Sequence, residues 1–219
     1  SSYRVIKNVL PMNEFNLTKL LEDEGFLDPV RLRRIFLLLT REHFSNPENH
    51  INDYLLDYKY TDEPATRSLD VDLDFTYDTE EIGKKPAIFV GTGPFAFKKQ
   101  VINNSIEDAQ DDSAHFFSTQ CITSLKIKHV TTAADLSMLL ATQSLNFFGC
   151  IREHLMGLIP GILQYEITQL SPPTLIEATK IRIFQCDLDI ALAFDTLWSS
   201  YVESHRIKDI IFEPVQKDY

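Results

Sequence analysis

Residues 181–195 read Ile181-Arg182-Ile183-Phe184-Gln185-Cys186-Asp187-Leu188-Asp189-Ile190-Ala191-Leu192-Ala193-Phe194-Asp195. Arg182, Phe184, Cys186, Leu188, Ile190, Leu192 and Phe194 fall on one face of an extended chain. Ile181, Ile183, Gln185, Asp187, Asp189, Ala191 and Ala193 fall on the other. A period of two held this long predicts a strand with one apolar face, in a sheet that packs on one side. His115–His129 repeats the pattern, with Phe117, Thr119, Cys121, Thr123, Leu125 and Ile127 on one face.

Between these strands lies the strongest helical pattern in the chain, Ala133–Met156. Leu136, Leu139, Leu140, Phe147, Ile151 and Leu155 recur at helical spacing. Thr132 is the expected cap with Asp135 reaching back to it, and Gly157 with Pro160 is the expected stop. Pro86–Val90 reads as a buried strand, with Phe95–Lys98 as its neighbour across a turn at Gly91–Pro94. Ile162–Thr168 adds a further strand, and Ile207–Phe212 an edge strand. Upstream, Asp28 is placed to cap a helix that starts at Pro29 and ends at Ser45–Asn49. Val30, Leu32, Ile35, Phe36, Leu38 and Leu39 form its apolar stripe. Arg31, Arg33, Arg34 and Arg41 fill much of the remaining surface, as a solvated face or an ion-pair seam to an acidic neighbour.

The fold class that follows is α+β: a mainly antiparallel sheet with a long helix packed across one face, plus N-terminal helices. Residues 28–219 form a single domain. Residues 1–27, with Leu17, Leu20 and Leu21 before Gly25, form an arm or docking segment too short to bury itself.

Composition narrows the function without naming it. The 219 residues carry 21 Lys and Arg against 32 Asp and Glu, a net charge of −11. So acidic a surface repels nucleic acid and anionic membranes at long range. No apolar run approaches the roughly 20 residues of a membrane helix, and Ser1–Val5 lacks a secretory pattern. The three cysteines, Cys121, Cys150 and Cys186, are widely spaced and predict free thiols in a reducing compartment.

Signatures of catalysis are weak. Gly91-Thr92-Gly93-Pro94-Phe95-Ala96 matches a loose dinucleotide pattern, but the residues after it look extended, so no helix N-terminus faces a phosphate. Asp70, Asp72, Asp74 and Glu81 have calcium-loop spacing, but Phe75 stands where the loop needs glycine. An acidic strand face is the expectation there. The histidines are scattered, and no metal, cofactor or catalytic residue is assigned. Tyr54, Tyr58 and Tyr60 recur beside Leu55 and Leu56, a composition that suits an interface or a covered core edge.

Asp28-Pro29-Val30-Arg31-Leu32-Arg33-Arg34 with Glu42-His43-Phe44-Ser45-Asn46-Pro47 resembles the opening of neck proteins of tailed bacteriophages. Lys84-Lys85-Pro86-Ala87-Ile88-Phe89-Val90 is similar to the R-x-P-A-I-x-V strand of that group. The order of the long strand, the Ala133–Met156 helix and the strand closing on Phe194-Asp195-Thr196-Leu197-Trp198 also matches. Across residues 28–200 the pattern resembles the tail terminator family. The resemblance implies a non-enzymatic structural protein of the virion tail and neck, assembled in the host cytoplasm. It implies a homo-hexameric ring between tail tube and head-side connector, with DNA passing through the lumen without specific binding. On that reading Asp70, Asp72, Asp74, Asp187 and Asp189 are candidates to face the lumen. Arg31, Arg33, Arg34, Tyr54 and Tyr58 are candidates for the contact between copies. Competing readings are another neck or tail-completion component, a non-viral protein-interaction adaptor, and an enzyme built from dispersed residues.

Overall fold

The computed structural model describes residues 27, 29–49, 52–73, 79–98, 105–108, 111–159, 161–177 and 181–199. The arm up to residue 26, the Asp28 cap, Asp74 and the Ile207–Phe212 strand lie outside the described residues.

The architecture is α+β, as the alternation and helical periodicity predict. Among the described residues eight strands form one sheet: β1 (Asp70–Leu73), β2 (Ala87–Thr92), β3 (Ala96–Lys98), β4 (Ser105–Asp108), β5 (Asp111–Thr131), β6 (Ile162–Leu170), β7 (Thr174–Glu177) and β8 (Ile183–Ser199). Their spatial order is β1-β2-β5-β8-β6, with β3 and β4 also paired to β5 and β7 to β8. Every pairing is antiparallel except β1 with β2. The spine is β5–β8, in register from Phe116↔Ser199 to Thr131↔Phe184.

Among the described residues four α-helices accompany the sheet: α1 (Pro29–Ser45), α2 (Thr79–Lys84), α3 (Ala134–Cys150) and α4 (Arg152–Leu158). α3 crosses β5 and β8, α1 lies over β1 and β2, and α4 packs on β6. Cys121, Leu125 and Ile127 of β5, with Leu188, Ile190, Leu192 and Phe194 of β8, turn toward this layer and are buried. Those are the faces that the period of two assigned. Phe36 of α1, Phe148 of α3 and Tyr165 of β6 fill the middle, their rings 5.9 and 6.3 Å apart. On the opposite face α2 closes a smaller cluster of Ile82, Ala87, Phe89, Val130 and Ile183.

Several local expectations are corrected. The helix expected over Ala133–Met156 is two helices, parted at Ile151, where φ is −86° and ψ is −3°. Its N-cap is Ala133 with no side-chain hydrogen bond. The hydroxyl of Thr131, not Thr132, accepts the Ala133 N–H at 3.0 Å. The buried stripe of α3 is rotated from the one expected: Ser137, Gln143 and Ser144 are buried and Leu136 is only half-buried. The reason is polar pairing, since Ser144 and Gln143 each meet a buried histidine.

The turn expected at Gly91–Pro94 is not a hairpin. β2 and β3 both pair antiparallel to β5, at Leu125–Val130 and Gln120–Ile122, so they run in line rather than side by side. Gly93 is the jog between them. Its N–H donates to the Ser124 carbonyl at 2.7 Å, and a Cβ there would meet Ser124 Oγ at 2.5 Å. Pro94 has no N–H to offer the ladder.

An arginine meets each terminal strand. Arg41 Nε of α1 donates to the Val71 carbonyl of β1 at 2.9 Å. Arg152 Nε of α4 donates to the Tyr165 carbonyl of β6 at 3.0 Å. Both bonds occupy backbone acceptors that an incoming strand would use. Among the described residues no helix is long and apolar enough to cross a membrane.

Candidate functional site

The sheet face turned away from α1 and α3 carries four of the five acids singled out from the sequence. The ladder puts Asp72, Phe89, Lys128 and Asp187 in one row across β1, β2, β5 and β8, and Gly91, Lys126 and Asp189 in the next. Asp70 starts the row that continues through Ala87, Val130 and Gln185. Between the two pairs of acids runs a column the sequence reading missed, Lys126 and Lys128. Opposite charges directly across an antiparallel pair attract at a Cβ separation of about 5 Å. The face therefore sets Lys126 opposite Asp189 and Lys128 opposite Asp187, beside a buried apolar cluster that separates them from Asp70 and Asp72, rather than forming a continuous acidic wall.

The acids differ in environment. Asp70 Oδ2 lies 3.1 Å from Lys85 Nζ and its Oδ1 3.4 Å from Arg67 Nη1. Asp72 Oδ1 lies 3.5 Å from Arg41 Nη2. On β8, partial burial pushes the Asp187 carboxyl above the usual carboxylate range, and the Asp189 charge pushes the same way. A hydrogen bond from Gln185 Nε2 at 2.8 Å and the charges of Lys128 and Lys126 act against them. Asp187 and Asp189 are both half-buried, whereas Lys126 is exposed.

The residues proposed for contacts between copies separate into two places. Arg31 and Arg33 are half-buried and Arg34 exposed on the first turns of α1, beside Val30. Tyr54 lies beyond the other end of that helix, on the 3-10 turn Asp53–Leu55. Its side chain is 80% exposed, whereas Leu55 is fully buried. Tyr58 is half-buried and packs on the core.

The segment carrying Tyr54 is pinned. The Tyr60 N–H donates to the Phe44 carbonyl at 2.9 Å, and the Ser68 hydroxyl donates to the Asp57 carbonyl at 2.6 Å. Arg41 and Arg67 place their guanidinium carbons 5.1 and 4.9 Å from the Tyr60 ring centre, within cation–π range. Arg67 Nε also donates to the Thr61 carbonyl, and Nη2 to the Asp62 carbonyl, each at 2.9 Å. Burial pushes the Tyr60 phenol up, against the opposing pull of the two arginines. The sequence flagged Tyr60 only as one of a run. Nothing in its spacing showed that two arginines, 19 positions before and 7 after it, close on one ring.

The interior holds a serine–histidine pair at hydrogen-bond distance. His129 Nε2 lies 2.7 Å from Ser144 Oγ and Nδ1 3.0 Å from the Cys186 carbonyl. A nucleophile and its base would be spaced like this. Both side chains are fully buried, however, so the pair joins β5 to α3 and is closed to substrate. A second buried pair, His43 Nε2 and Gln143 Nε2 at 2.9 Å, joins α1 to α3, with His43 stacked 4.1 Å from Phe147. Among the described residues no group of three or more His, Cys, Asp or Glu could hold a metal ion.

No protein-family model matches the chain, and no curated protein matches it.

Proposed function

We propose that the chain is a structural subunit of a tailed-phage neck, of the tail terminator kind, that works as a closed ring on the end of the tail tube. The observation that carries this reading is the two-sidedness of its sheet. One face is sealed by α1 and α3 against the apolar side of β5 and β8; on the other, α2 covers Ala87, Phe89, Val130 and Ile183, and the charged pairs of β5 and β8 lie beside that cluster. Such a sheet suits the wall of an assembly, with one face inward to its own core and one face available to the lumen or to a neighbouring copy. The 21 residues of β5 reach about 70 Å, while the 17 residues of α3 reach about 26 Å. The strand layer thus outruns its longest helices.

The ladder refines what a lumen lined by this face would do. Lys126 faces Asp189 and Lys128 faces Asp187 across the β5–β8 pair, and the opposite charge lowers the tendency of each lysine to grip a phosphate. Passing DNA would meet paired charge with little net attraction. Asp187→Lys with Asp189→Lys removes that balance and is expected to slow genome ejection; unchanged ejection argues against a lumen role for this face.

Light scattering on the purified chain, followed by negative-stain images of the same fraction, tests the assembly itself. Annular particles with a mass near six copies support the reading. A single-copy mass at every concentration, with no annular particles on added tail tubes, overturns it in favour of an adaptor.

A further inference from the structure

We propose that α3 is a detachable cover of the sheet: a proton taken up by His129 releases it, while β5 and β8 beneath it stay paired. The proposal goes beyond the ring reading and does not depend on it.

The way α3 is held carries the argument. Of its seven buried residues, Ser137, Gln143 and Ser144 are polar and Ala141 is small. The helix therefore gains less from apolar burial than an all-apolar stripe of that length. Two buried histidines supply the rest of its attachment. Adjacent residues, Gln143 and Ser144, meet His43 of α1 and His129 of β5. The first contact ties α3 to its neighbour in the helix layer, and the second ties it to the strands below.

His129 has no charged neighbour to offset a proton. From α3 it faces the Ser144 hydroxyl, from β8 the Cys186 carbonyl with the Cys186 thiol across the ladder, and from β2 Ile88. Burial pushes that thiol up, so it stays uncharged. Lys128 and Asp187, the next residues along β5 and β8, point to the opposite face. From α1, His43 is turned to Gln143 and Arg41 to Val71 and Asp72. Burial lowers the His129 pKa to about 4, opposed only by the Cys186 carbonyl.

The proton also arrives at the right nitrogen. In the neutral ring Nδ1–H serves the Cys186 carbonyl, and Nε2 accepts from Ser144. A second proton goes to Nε2, where it meets a hydroxyl that is itself donating. The bond within the sheet is kept and the bond to α3 is the one disturbed. The strands hold each other through sixteen continuous register pairs, whereas α3 is held to them by side chains. The helix is thus the unit of lower stability.

Two cysteines make the test direct. Cys150, at the end of α3, is exposed, while Cys186, with its sulfur 4.0 Å from Met138 Sδ of α3, is fully buried. The full chain is labelled with dithiodipyridine at about pH 7.5 and pH 5, and the sites are mapped by mass spectrometry. Both thiolates decline alike over that range, so the ratio of Cys186 to Cys150 labelling reads the opening. With a His129 pKa of 6.5 in the open form and about 4 in the closed one, the ratio is expected to rise about thirtyfold toward acid. Hydrogen exchange on the same samples should show α3 amides losing protection while those of β5 and β8 keep theirs. His129→Gln does not titrate and should hold the ratio within about threefold. Ser144→Ala should raise the ratio at neutral pH, because the link to β5 is already gone. A flat wild-type ratio, or strands that lose protection together with α3, overturns the proposal, as does a full rise in His129→Gln. Should His129→Gln lose the wild-type circular dichroism spectrum, Ser144→Ala decides, and a neutral-pH ratio no higher than wild type overturns the link.

Discussion

His129 Nε2 and Ser144 Oγ meet 2.7 Å apart where the central strand passes under the long helix. The hydroxyl donates to Nε2, because the proton on Nδ1 is engaged by the Cys186 carbonyl 3.0 Å away. The imidazole is therefore held neutral in a fully buried site, and burial lowers its pKa from 6.5 to about 4. The Cys186 thiol also turns to this side, and burial pushes its pKa up, so it stays neutral over the same range.

Linkage turns that geometry into a pH dependence. Above the unfolded value the ring is neutral in both states and contributes nothing to the slope. As pH falls from 6.5 toward 4 the unfolded chain binds a proton that the folded chain refuses, so stability falls through that window. Between about pH 7.5 and 4.5 the loss amounts to roughly 2–3 kcal/mol. Urea unfolding at both pH values measures it, with His129→Gln as reference because glutamine does not titrate. Wild type should lose more stability than the variant by that amount; equal losses would remove His129 from the account.

Arg67 is the busiest side chain of the loop anchorage, touching the Tyr60 ring, two carbonyls and Asp70. Arg67→Ala should cost about 1–3 kcal/mol, from the lost hydrogen bonds and the cation–π contact. Tyr60→Phe keeps the ring and should cost less than half as much. Chemical denaturation of the two variants side by side checks the order, and a Tyr60→Phe loss as large as that of Arg67→Ala would shift the weight to the phenol.

Gly161 enters β6 with φ at +91°, and a Cβ there would lie 3.3 Å from the Asp195 carbonyl. An L side chain is strained in that backbone region and would also press on the neighbouring strand. Gly161→Ala is expected to lower stability by about 1–2 kcal/mol. A thermal melt unchanged from wild type would show that the β6 entry relaxes.

Arg152 covers the Tyr165 carbonyl on the outer strand of the sheet. Arg152→Leu keeps an apolar stem and removes the donor, opening one acceptor to intermolecular pairing. The variant is expected to gain thioflavin-positive aggregates on concentration while its fresh solution keeps the wild-type spectrum. Aggregation no greater than wild type would show that the edge is protected by other means.

How much of this was legible depended on length and on polarity. The alternation of residues 181–195 and 115–129 named the correct inner faces because both strands are central and long, and each has one apolar side. Of the core positions the apolar pattern marks, Ile88, Phe89, Leu136, Leu140, Phe147, Ile183 and Leu188, all are buried except Leu136, which is half-buried. The six-residue α2 and four-residue β7 are too short for periodicity to declare them. The true inner face of α3 was obscured because Ser144 and Gln143 are buried for the sake of His129 and His43, and partners so remote in sequence leave no local signal. The four described acids were legible as strand residues pointing one way. The lysines between them were not, because the register of β5 against β8 is decided by the whole ladder.

The continuous pairing of β5 with β8 also determines how the domain bears load. Antiparallel hydrogen bonds lie perpendicular to the strands. A pull along the ribbon, as from material driven through a narrow passage, strains all sixteen paired positions together. A pull across it opens them one after another. The domain is thus mechanically stiff along one axis and yielding along the other, and its β5–β8 ribbon marks the direction in which it withstands traction.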